Sequence, residues 1–259
     1  MTRRTALIGG SSAGIGKAIA AGLLEKKIDV IIIGRGPRLN DTKAELQKQF
    51  PLAKIHAIIT DYSSMNSVNN LIQSIKELSL QPDILILNTG GPKPGSFDDI
   101  STEDWDINYQ QQFKSSMMLM KAFIPDMKKK KWGRIINISS TIAIEPTVSM
   151  ILSASYRAML INALKSTSIQ LAKDGITINT LCPGAVMTDR LTGLFQKQAD
   201  DSQKSLEEII NNVALTIPIQ RIASPKDFSH LAVFLASDES NYITGTVIPI
   251  DGGLIKKSF

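Results

Sequence analysis

Thr5-Ala-Leu-Ile-Gly-Gly-Ser-Ser-Ala-Gly-Ile-Gly16 runs directly into Lys17-Ala-Ile-Ala-Ala-Gly-Leu-Leu24, and the reading of this stretch decides the fold. A short apolar run, Ala6 to Ile8, stops at two glycines. Gly14 and Gly16 follow a gap of small residues, and Ile15, Ile19 and Leu23 then recur at helical spacing. The pattern predicts a strand, a tight turn and a helix. Glycines there let the backbone approach a diphosphate, and free N–H groups at the helix start attract its negative charge. The order suits a dinucleotide site, with G-x-x-x-G-x-G spacing in place of G-x-G-x-x-G. A bare strand–helix connection would use the same residues, so the turn needs support from elsewhere in the chain.

The 259 residues suffice for one sizeable core, and an apolar share of 43% with a charged share of 20% is ordinary for a soluble globular protein. Net charge is +5, a modest excess that a phosphorylated cofactor would suit. Lys128 to Lys131 form the one basic block. It falls between a helix and a strand, where a solvated loop is a better reading than a nucleic-acid or membrane patch. Cys182 is the only cysteine, which rules out an internal disulfide and a cysteine metal cluster. With only His56 and His230, no multi-histidine metal site is expected. No apolar run approaches the ~20 residues of a membrane span, and Met1-Thr-Arg-Arg enters a strand directly. A cytoplasmic enzyme without a metal, nucleic-acid or membrane partner is the expectation.

Further along, Asp29 to Gly34 is a continuous apolar run, as in a strand buried on both faces of a parallel sheet. Arg35 follows it. A carboxylate at the end of this strand would hold a ribose 2′-hydroxyl, whereas an arginine accommodates a 2′-phosphate, so Arg35 favours NADP(H) over NAD(H). Helices are predicted over 40–50 and after Asp61, which serves as cap, and a third strand over 53–60. A strand over 83–88 breaks at Thr89-Gly-Gly-Pro-Lys-Pro-Gly95. One long helix is predicted from Ser101 or Thr102 to about Met127, disturbed at Pro125. Strands over 132–140, 175–184 and 246–251 and helices over 152–173, 205–213 and 225–236 complete the chain. The alternation predicts an α/β fold, a doubly wound parallel sheet of about seven strands in one domain. Segment 185–221 is less regular and is a candidate cover for substrate.

Taken together these pieces resemble the short-chain dehydrogenase/reductase family over nearly the whole chain. The family's T-G-x-x-x-G-x-G fits Gly9 to Gly16, its N-N-A-G fits Asn88-Thr89-Gly90-Gly91, and its P-G-x-x-x-T fits Pro183 to Thr188. Asp61 and the ending Tyr242 to Gly253 also match. The resemblance implies an NADP(H)-dependent oxidoreductase with a Rossmann-like fold. Its cofactor contacts would fall at Gly10, Ser12, Ala13, Gly14, Ile15, Gly16, Arg35, Asp61, Tyr62, Asn88, Thr89, Gly90, Arg157, Pro183, Gly184, Val186 and Thr188. It further implies a dimer or tetramer, with Met117, Met118 and Tyr156 as candidate interface residues.

The chemistry is where the sequence departs from the family. Hydride transfer there uses a serine, a tyrosine, a lysine four residues after the tyrosine and a helix asparagine. Ser140 fits the serine, but Ser153 stands in the tyrosine position, Arg157 in that of the lysine and Gln112 in that of the asparagine. A serine hydroxyl is a far weaker acid than a phenol, and arginine keeps its charge without shuttling protons. Tyr156 lies about 60° round the helix from Ser153 and some 4.5 Å along it. It is either a substitute acid or a packing residue. The branch of the family that these features resemble is commonly labelled 3-oxoacyl-acyl-carrier-protein reductase. Two functions stay open: an oxidoreductase acting on a carbonyl or alcohol such as a 3-oxoacyl thioester, and a catalytically silent NADP(H) sensor or scaffold. Gly10-Ser-Ser-Ala-Gly14 also satisfies G-x-S-x-G, but it follows the first strand and His230 lies in a helical pattern, which argues against a hydrolase.

Overall fold

The computed structural model describes residues 3–257. Seven parallel strands form one sheet in the order β3-β2-β1-β4-β5-β6-β7. They are β1 (Thr5–Ile8), β2 (Asp29–Gly34), β3 (Ile55–Ile59), β4 (Ile84–Leu87), β5 (Gly133–Ile138), β6 (Ile176–Pro183) and β7 (Val247–Ile250). β1 pairs with β2 on one side (Ala6 beside Val30) and with β4 on the other (Ala6 beside Ile84). Strand order therefore reverses at β1, which opens a crevice beyond the C-terminal ends of β1 and β4.

Side chains alternate across the sheet, and the two faces gather separate cores. Ala6, Ile8, Val30, Ile32 and Ile86 point toward α1 (Gly14–Glu25), α2 (Arg38–Gln49) and α9 (Pro225–Leu235), meeting Ile19, Leu23, Leu39 and Phe228. Leu7, Ile31, Ile33, Leu85 and Ile135 point toward α3 (Met65–Glu77), α5 (Ser115–Lys130) and α6 (Ile151–Leu171), meeting Val68, Leu71, Phe123 and Leu164. All six residues of β2 are buried, as its unbroken apolar run predicts. α7 (Asp189–Ser202) and α8 (Leu206–Thr216) pack on each other through Phe195, Ala199 and Ile209.

Several sequence expectations are corrected. The long helix is not disturbed at Pro125, which sits within α5 without ending it. Instead α4 (Thr102–Asn108) passes into a π-helical stretch, Tyr109–Lys114, before α5 begins. Ser115 donates its amide to the Gln110 carbonyl and its hydroxyl to the Gln111 carbonyl at 2.7 Å. These bonds fix the widened turn, a feature with no periodic signal in sequence. Asp61 does not cap α3. Ser64 does, accepting from the Ser67 amide, while Asp61 accepts from Ser63. The irregular segment holds a helix, α7, that its polar composition conceals. The lysine block is no loop: Lys128 to Lys130 close α5, and the four lysines lie 2.6–3.8 Å from Asp174, Asp126 and Asp83.

One hydroxyl joins β1 to β2 beside the crevice. Ser11, fully buried, stands 2.9 Å from the Ile8 carbonyl and 3.2 Å from that of Ile33, and accepts from the Ile33 amide at 2.8 Å. Ser11→Ala leaves the Ile33 amide without that acceptor. We expect a loss of about 1–3 kcal/mol in urea unfolding, with the slope unchanged.

Candidate active site

The turn after β1 is shaped by what lies behind it. Gly10 and Gly14 have φ of +54°, a region that side chains disfavour. A Cβ at Gly9 would collide with the Asn88 carbonyl, and one at Gly16 with the Gly10 carbonyl. Asn88, at the end of β4, donates its amide to the carbonyls of Gly9 (3.0 Å) and Gly10 (3.4 Å). α1 begins at Gly14 after Ala13, which makes no side-chain capping bond, and its first turn carries no acid. Five other helices, by contrast, begin on a serine or threonine that accepts such a bond. The start of α1 therefore offers unsatisfied N–H groups to the crevice. Ser12 lies close to Gly34, whose absent Cβ would sit 3.1 Å from it. The Ser12 carbonyl accepts from Thr42 at 2.8 Å.

Thr188 brings the later loop against this turn: its Cγ2 would stand 3.0 Å from a Cβ on Gly14, and its hydroxyl caps α7. Pro183 ends β6. Gly184 is crowded by Asp251, and Val186 is buried, bridging to Ala223. Asp61 is half-buried near the end of β3. Tyr62 packs its ring into the core with Val68 and Leu71, its hydroxyl lies 3.1 Å from where a Cβ on Gly9 would be, and burial raises its phenol pKa. Ile15 is half-buried and packs against the α1-side core. Arg35 is exposed at the end of β2 and reaches back over Gly90, 3.6 Å from where a Cβ would be.

At the ends of β4 and β5 the atypical residues fall into two hydrogen-bonded groups, one around Gln112 and one around Arg157. Gln112, on the π-helical stretch, accepts from the Thr89 hydroxyl at 2.9 Å and donates to the Gly90 carbonyl. Gln111, which sequence reasoning missed, donates to the same carbonyl at 3.1 Å. Ser140 is half-buried just past β5, its hydroxyl accepting from the Ile142 amide. Arg157 donates through Nη1 to the carbonyls of Ile138 and Ser139, both at 2.8 Å, and through Nε to the Ser153 hydroxyl at 3.2 Å. Burial, with Arg190 as a second cause, lowers its pKa to about 10, so it keeps its charge at neutral pH. Cys182 is buried and its thiol is pushed up to about 11, chiefly by that burial, which makes it an inert side chain rather than a nucleophile.

Tyr156 joins neither group. Its hydroxyl donates to the Trp105 carbonyl at 2.7 Å, and its ring packs with Ile100, Leu152 and Trp105. Burial raises its pKa, with Asp106 and Tyr109 adding to the rise. The reading as a substitute acid gives way to that as a packing residue, because the phenol proton is already engaged by α4. Arg190 and Asp189, absent from the expected site, do face the crevice. The Arg190 guanidinium lies over Gly91 and donates to the Pro92 carbonyl at 2.8 Å, while Asp189 pairs with Arg38 across from α2. With α7 itself concealed in the sequence, no local signal pointed to either residue. Among the described residues no group of three potential metal ligands occurs, and no helix is long and apolar enough to cross a membrane.

A doubly wound parallel sheet with a glycine turn and uncapped helix at its switch point defines a dinucleotide-binding α/β protein. A family model described as enoyl-(acyl carrier protein) reductase matches residues 10–255. The NADPH-dependent reductase BacG of Bacillus subtilis (strain 168) is 35% identical over 261 residues, covering 99% of both chains. L-sorbose reductase from Gluconobacter frateurii, solved with NADPH and L-sorbose, superposes with a TM-score of 0.94 at 25% identity, covering 99% of this chain and 98% of that one. An NADPH-bound short-chain oxidoreductase from Pseudomonas aeruginosa PAO1, containing an atypical catalytic center, gives 0.87 at 27% identity and 98% coverage of each. The chain belongs to the short-chain dehydrogenase/reductase family.

The Tyr156 geometry predicts a structural effect. Tyr156→Phe removes the side-chain donor to the Trp105 carbonyl, which keeps the Tyr109 amide, and should lower unfolding free energy by about 1 kcal/mol, read by urea titration. Cofactor affinity should not change. Wild-type stability in the variant would refute the buried bond.

Proposed function

We propose that this oxidoreductase uses NADP(H) and acts on the carbonyl or alcohol group of a small molecule, with a 3-oxoacyl thioester as the first substrate class to try. The observation that carries the cofactor half is Arg35 at the end of β2, where a carboxylate would otherwise hold the ribose. The cradle fits the group. Glycines whose side chains would collide with backbone leave space in front of the turn, and α1 presents uncapped N–H groups there. BacG and the two solved relatives, named for or bound to NADPH, support the same reading.

When bound, the nicotinamide supplies or accepts the hydride. Ser140 offers a hydroxyl to the substrate oxygen. Arg157 is a fixed positive charge beside it, oriented by two carbonyls and by Ser153, and acts by stabilising negative charge on that oxygen. Arginine does not release its proton at neutral pH, so the proton for the oxygen comes from water in the cleft. Gln112 braces the loop after β4 through Thr89 and Gly90. Residues 185–221, with α7 and α8, cover the substrate. The engagement of Tyr156 by Trp105 also favours a second reading, a catalytically silent NADP(H) sensor.

NADPH consumption against a panel of ketones that includes 3-oxoacyl thioesters separates the two. Oxidation with any member supports the enzyme; tight binding without oxidation across the panel supports the sensor. Within either outcome, Arg35→Ala should weaken NADPH by about tenfold while leaving NADH within about twofold. Equal losses for both cofactors would remove Arg35 from the 2′-phosphate.

A further inference from the structure

Three guanidinium groups converge on the crevice with no carboxylate to neutralise them. Among the described residues, Arg35, Arg157 and Arg190 make no ion pair. The acid adjacent to Arg190 in the chain, Asp189, is taken by Arg38. Their positions follow the strand order. Arg35 leaves the end of β2 and Arg157 grips the end of β5, a separation of three strand spacings, about 14 Å. Arg190 lies between them. Its guanidinium covers Gly91, next to the Gly90 that Arg35 covers, and both glycines follow β4. It is carried there by Thr188, two residues earlier, which rests against Gly14 at the start of α1.

A cation so placed is at odds with its surroundings unless an anion joins it. Arg190 stands in the first turn of α7, where the helix field favours negative charge. Withdrawal of its guanidinium from water, and then Arg35 beside it, lower its pKa, although the residue as a whole is exposed. Its one recorded hydrogen bond from the guanidinium goes to the Pro92 carbonyl, leaving further donors for a bidentate contact.

We propose that Arg190 clamps the diphosphate of the bound dinucleotide from the α7 side, opposite the glycine turn. The proposal rests on the NADP(H) reading above and adds to it a side-chain ligand. Arg35 holds the adenosine end, the N–H groups of α1 face one side of the diphosphate, and Arg190 closes on the other. Because Arg190 belongs to the segment that covers substrate, cofactor binding and the seating of α7 become one event.

Calorimetric titration of the full chain with NADPH and, separately, with adenosine 2′-monophosphate tests this. That second probe carries the 2′-phosphate without the diphosphate. Arg190→Ala should weaken NADPH by about tenfold or more, with Arg190→Lys intermediate, and leave adenosine 2′-monophosphate within about twofold. Arg35→Ala should weaken both probes. Unaltered thermal melting without ligand would show that the exposed Arg190 variants remain folded. NADPH affinity within about twofold of wild type in folded Arg190→Ala overturns the clamp while leaving the cofactor reading intact. Equal weakening of both probes also overturns it, placing Arg190 at the 2′-phosphate. Wild-type protein that binds neither probe overturns the cofactor reading and the clamp together.

Discussion

Ser11 ties the turn after β1 to β2, and Asn88 ties the same turn to β4, so the backbone there is held from both sides at close range. The glycines are consequences of that grip. With the Asn88 carbonyl against Gly9 and the Gly10 carbonyl against Gly16, no side chain fits, and the turn must present bare backbone to the crevice. The strand reversal at β1 supplies the opening, and the uncapped α1 supplies its polarity. Loosening the grip on either side would move the N–H groups that define the site.

Charge is distributed to match. The lysines that end α5 face carboxylates at 2.6–3.8 Å, far from the turn in sequence, and contribute nothing to the crevice. The arginines at the crevice are left without such partners. A net charge of +5 therefore understates the field a phosphorylated ligand meets. The ion pair between Arg38 and Asp189 links α2 to the start of α7, and Arg190 holds the Pro92 carbonyl, so the first turn of α7 is fastened at two adjacent charged residues.

What could be read in the sequence was whatever repeats or punctuates. Apolar runs located every strand of the sheet, and Gly14 with Thr188 marked two loops that the structure brings into contact. Ser11 was not singled out, because a buried serine among small residues has no pattern of its own. The π-helical stretch stayed hidden for a different reason: it is set by Ser115 and by side chains reaching Gly90, some twenty residues earlier. Helical geometry gave the angle between Ser153 and Tyr156 but not their neighbours. The partner of the phenol is a backbone carbonyl 51 residues away, which no local rule contains. Arg190 fell in a segment whose polar composition concealed its helix.

The departures at 153 and 157 are physically coupled. A lysine at 157 would be a single point charge, whereas arginine gives one nitrogen, Nη1, to two carbonyls at the end of β5 and still turns Nε toward position 153. Serine there accepts that third bond within a small volume. A tyrosine side chain at 153 would need room and an acceptor of its own, and its hydroxyl lies much farther from its backbone than that of serine. Restoring the family pair one residue at a time would therefore disrupt the guanidinium's three contacts before it recreated a phenol–ammonium pair. The residues at 153 and 157 are thus coupled through one hydrogen bond, and a change at either is felt at the other.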